Sequence, residues 1–99
     1  MDSLSRQLAD RGVRNAAVAS LIGAVDSYCI SNMPKGDATD DILTEYEQPS
    51  ELSGTGEVVD GKLHLHAVLG TEGDLAHTGH LHWAKIETHF VRAYIVPID

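Results

Sequence analysis

Five of the six histidines in this chain fall between Lys62 and His82, in KLHLHAVLGTEGDLAHTGHLH. Two His-Leu-His triplets bracket the stretch, His64/His66 and His80/His82. On a β-strand alternate side chains share a face, so each pair projects its imidazoles the same way, about 6–7 Å apart. That spacing is too long for direct contact and suits two ligands converging on one ion. Neutral imidazole is the commonest protein metal ligand, and zinc, nickel, copper and ferrous iron all accept it. If the two strands pair, up to four rings face one another. Three histidines with an open position is the layout of a catalytic zinc site rather than a structural one. The remaining rings, His82 and His77, would then be a fourth ligand or hydrogen-bond to the ligands and move protons. A single His-x-His is compatible with plain polar surface; two of them flanking one turn point to a site. His89 lies on a separate segment and reads as an ordinary histidine.

The leucines decide how such a site would be held. Leu63, Leu65, Ala67 and Leu69 alternate with the histidines and form a clean core face; Leu81 and Trp83 are expected to do the same on the second strand. Asp60–Gly61 between apolar runs is a two-residue hairpin signal, with strands expected over 51–59 and 62–69. GTEGD is a further turn, and strands are expected over 77–83 and 87–98. Upstream, a short helix is expected at the start of the chain, with Asp2 or Ser3 as cap, Leu4 and Leu8 on one face and Gly12 as the terminating glycine. Strands over 16–22 and 25–31 would meet near Gly23. NMPKGDATDD is a loop whose Asp37, Asp40 and Asp41 read as a solvated turn. These elements make a single α+β domain dominated by antiparallel sheet, with one or two helices.

Composition narrows the function classes. The net charge of −8 argues against a surface that binds nucleic acid or an anionic membrane by itself. One cysteine, Cys29, allows no internal disulfide, and no apolar run reaches membrane-spanning length. A cytoplasmic chain without membrane attachment is therefore expected. Cys29 sits in an apolar strand and reads as a buried inert thiol. LSGTGE lacks the ending of a phosphate-binding loop, and no serine lies in a nucleophile elbow, so no catalytic residue is assigned.

Taken together, GKLHLHAVLG, TGHLH, YEQPSELSGTGEVVDGK and ASLIGAV resemble the PPC (plants and prokaryotes conserved) domain family, also called DUF296, over most of the chain. The resemblance implies a compact homotrimer. It also implies a divalent metal held by His64, His66 and His80, zinc first and nickel or iron as alternatives, with His82 extra to the usual pattern. Such a site would bind a small ligand or activate water. The family's plant members carry AT-hook segments that bind DNA; this chain has none, which argues against direct nucleic-acid binding. The family's usual first strand is expected to be absent, Thr78 stands where the family has glycine, and Arg92 stands at a position that is often acidic. Two other readings follow from the resemblance: a DNA-associated regulatory or architectural module, and a plain trimeric assembly domain without catalysis.

Overall fold

The computed structural model describes residues 1–98. It opens with helix α1, Asp2–Asp10. No side chain caps its start; Ser3 Oγ instead accepts a hydrogen bond from Gln7 Nε2 at 3.2 Å. Its end is as expected. Gly12 adopts φ +69°, its N–H reaches the Ala9 carbonyl at 3.0 Å, and the Val13 N–H reaches Leu8 at 2.9 Å. This is the paired hydrogen bonding of a glycine-terminated helix.

Seven strands follow: β1 (Ala16–Val25), β2 (Ser27–Asn32), β3 (Ile42–Tyr46), β4 (Ser50–Val59), β5 (Lys62–Thr71), β6 (Leu75–Lys85) and β7 (Val91–Pro97). They form one antiparallel sheet in the order β3-β2-β6-β5-β4-β1-β7. Asp60 and Gly61 both take positive φ, 51° and 78°, as the tight β4–β5 hairpin requires.

Three boundaries differ from expectation. Gly23 does not break the chain. It stays within β1, where its missing side chain admits the Phe90 carbonyl, which accepts from the Ala24 N–H at 3.1 Å. The reversal falls at Asp26 instead. Its carboxylate accepts hydrogen bonds from the backbone N–H groups of Glu87 at 2.7 Å and Thr88 at 3.0 Å, and from the Thr88 hydroxyl at 2.6 Å. These bonds hold the 86–90 segment out of the sheet, so β7 starts only at Val91. Finally, ILTEY forms an additional edge strand, β3, most of it exposed.

Most burial falls on one side of the sheet, β2 alone being buried on both from Ser27 to Ser31. Leu65, Ala67 and Leu69 of β5 pack with Val18, Leu21, Leu52, Ile30 and Leu81, and Leu8 of α1 is buried on the same cluster. The opposite face has no helix over it among the described residues. No helix is long and apolar enough to cross a membrane.

Candidate metal centre

The two histidine strands are neighbours. β5 and β6 pair with Leu65 opposite Leu81 and His66 opposite His80. The leucines enter the core, so the histidines point to the open face. The ring centroids of His64 and His66 lie 4.9 Å apart, those of His64 and His80 4.4 Å, and those of His66 and His80 5.9 Å. His82 stacks on His80 at 4.5 Å with planes 24° apart.

His82 owes its place to a bulge. β2 pairs Cys29 with Trp83 and Ile30 with Leu81, which leaves His82 as the extra residue. Its Nε2 meets the hydroxyl of Ser31 at 2.7 Å, and Ser31 is buried and paired through its backbone with His80. The same bulge shifts the alternation: Ala84 packs on the core, and Trp83 is displaced outward to 37% exposure instead of sharing the face of Leu81.

Glycines permit the close strand approach. A Cβ on Gly54 or Gly56 would collide with the carbonyl oxygens of His66 and His64, and one on Gly79 with that of Ser31. The glycines of β4 thus let it draw near β5, and Gly79 of β6 lets that strand draw near β2.

The His80 imidazole is held below its ordinary pKa, first by burial and then by repulsion from His64, His82 and His66, with Asp41 opposing. It is thus kept neutral near pH 7, the form that ligates a metal.

Three imidazole nitrogens about 2.0–2.1 Å from a tetrahedral ion place their ring centroids about 5 Å apart. The His64, His66 and His80 separations bracket that value. Their planes do not splay around one point, however: His66 and His80 are within 22° of parallel, and among the described residues no three potential ligands form a closed donor set. The strand spacing and donor chemistry fit an ion; ligation requires the rings to turn about their side-chain torsions.

The model of the Plants and Prokaryotes Conserved (PCC) domain matches residues 1–98. The chain belongs to that family. No curated protein matches it. Among solved structures, a metal-containing protein from Archaeoglobus fulgidus is similar at 26% identity and TM-score 0.74, over 97% of this chain and 69% of the other. A PPC protein from Pyrococcus horikoshii is similar at 21% identity and TM-score 0.77, over 91% of this chain and 65% of the other. A protein from Ralstonia eutropha JMP134, named provisionally as DNA-binding, is similar at 19% identity and TM-score 0.74, over 94% of this chain and 69% of the other. The chain thus spans about two thirds of the length of each.

Within this PCC domain the other sequence-selected residues go elsewhere. His77 lies one face away from His80 and His82, because 77, 79 and 81 alternate with 78, 80 and 82. Its Nδ1 is 2.9 Å from the Tyr28 hydroxyl and its ring stacks on Tyr46 at 4.2 Å. The structure therefore does not bring His77 to the cluster. Cys29 is buried, and burial followed by the charge of Glu45 pushes its thiol pKa up, so it stays protonated.

Two neighbours of the histidines were not singled out from the sequence, and a third, Asp41, was read only as part of a solvated turn. Glu57 lies directly across from His64 and Thr55 from His66. Counting outward from the Asp60–Gly61 turn gives both pairings, so the signal was present. Asp41 acts on His80 from the loop after β2, a relation that no local pattern encodes.

Proposed function

We propose that this single PCC domain is a metal-binding protein that works as a homotrimer. His64, His66 and His80 would hold a divalent transition metal, zinc first and nickel or iron as alternatives. The observation that carries this reading is the clustering of three imidazoles on one face of two paired strands, their ring centroids 4.4–5.9 Å apart. The metal-containing relative from Archaeoglobus fulgidus supports it. Such an ion would supply Lewis acidity toward a small ligand or water. The chain's own residues would do the rest. His82, fixed by Ser31 and stacked on His80, hydrogen-bonds beside the ligand set, and Glu57 places a carboxylate across from His64. Assembly is supported by the same face, where Ile22, Val68, Tyr94 and Val96 are 44–55% exposed; soluble monomers seldom leave large apolar patches open.

The test is metal-dependent stability. Added zinc raises the melting temperature of tag-free protein, since a ligand that binds only the folded state stabilises it. The rise is absent in His64→Ala and His80→Ala. An equal rise in wild type and both variants contradicts the assignment.

The name of the Ralstonia eutropha relative favours a second reading, a DNA-associated module. The net charge of −8 opposes it.

A further inference from the structure

On the side of the sheet away from the histidines, a cavity of about 220 Å³ lies between α1 and the sheet. Leu4 and Leu8 line it from the helix, and Leu65, Leu81 and Ala93 line it from the strands. The space opens to solvent beside the helix, and its walls are mainly apolar side chains of the kind a hydrocarbon covers. An apolar cavity of about 150 Å³ takes a benzene molecule; by proportion this one has room for about nine non-hydrogen atoms.

Its polar lining says what the occupant carries. Ser3 and Gln7 lie one turn apart on α1, beside the line of Leu4 and Leu8, and Arg11 caps the helix end. All three line the cavity yet remain exposed, so they stand at its mouth. No acidic residue is among those lining it. Arg11 is the one charged side chain among the described residues that line it. Among the described residues Arg11 makes no ion pair. A guanidinium with free donors matches a carboxylate in geometry and charge, while the leucines match an unbranched hydrocarbon.

We propose that the cavity binds a small aliphatic monocarboxylate, its chain among the leucines beneath α1 and its carboxylate at Arg11. The site is independent of the histidine face and stands whether or not a metal binds there.

Calorimetric titration of the full chain with heptanoate, which has nine non-hydrogen atoms, tests this against heptanol. Wild type binds heptanoate saturably, and heptanol at least about tenfold more weakly, because a charged hydrogen-bond partner is lost. Arg11→Gln alters an exposed residue, keeps the fold, and loses the preference for the acid. Ala93→Phe fills the chamber and loses both ligands while its circular dichroism stays native. Absence of saturable heptanoate binding to wild type overturns the proposal. So does equal affinity for acid and alcohol, or a preference for the acid that survives in Arg11→Gln. If Ala93→Phe does not fold, the wild-type and Arg11→Gln titrations still decide between these outcomes.

Discussion

Single side chains show how much of this arrangement depends on individual hydrogen bonds. Ser31 is buried and bonded to His82 Nε2, so Ser31→Ala leaves an imidazole nitrogen without its partner. A loss of about 1 kcal/mol is expected by chemical denaturation, with a shift of the His82 ring nitrogens in NMR spectra that Ser31→Thr largely restores. Asp26 makes the clearest pH prediction. Three hydrogen bonds, from the Thr88 side chain first and then the backbone of Thr88 and Glu87, pull its pKa from 3.8 to about 2. The folded value is the lower one, so the stabilisation is present above pH 3.8 and fades as pH falls toward 2. Asp26→Asn is therefore expected to lower the melting temperature at pH 7. That difference should shrink between pH 4 and pH 2, and a difference that holds constant over the range contradicts the assignment. That His64, His66, His80 and His82 share one face was legible in the sequence because strand alternation depends on residue parity. His77 was misplaced for the same reason: its odd number puts it with Leu81, and nearness in sequence to His80 does not change its face.

At the scale of elements, turn chemistry was the most readable feature. Asp60–Gly61 placed the β4–β5 hairpin and, through it, the neighbours of both histidines on β5. What could not be read was wherever distant segments decide the geometry. The β1–β2 reversal needs Asp26 to meet residues 87 and 88, β3 is an exposed edge strand whose pairing with β2 has only a weak local pattern, and the His82 bulge arises from the register of β2 on β6. Glycine behaves likewise: Gly23 reads as a turn until β7 is known to press against it. Gly79 carries an element-scale prediction. Gly79→Ala drives a methyl group into the Ser31 carbonyl, forcing β6 from β2 where Ser31 and His82 meet. A destabilisation of about 2 kcal/mol is expected, with zinc-dependent stabilisation weakened as well. Gly36→Ala, where a methyl group meets open space, is the control and should leave both unchanged.

The whole molecule is a sheet covered on one side. The core and α1 occupy one face; the other combines four histidines with exposed Ile22, Val68, Tyr94 and Val96. On the proposed reading this face is where copies of the chain meet. Sedimentation equilibrium is expected to give three times the 10.7 kDa chain mass, and Tyr94→Asp to shift the population toward monomer. Charge makes the opposing functional reading testable as well: no shift of random or A·T-rich duplex DNA is expected at physiological ionic strength, and a salt-dependent shift would favour the DNA-associated module. The most direct measurement is metal content. Protein purified without a tag or a metal column, analysed by mass spectrometry, is predicted to carry one divalent transition metal per chain, lost in His64→Ala and His80→Ala. Metal-free wild type that still takes up no zinc, nickel or iron at stoichiometric concentration would contradict the account.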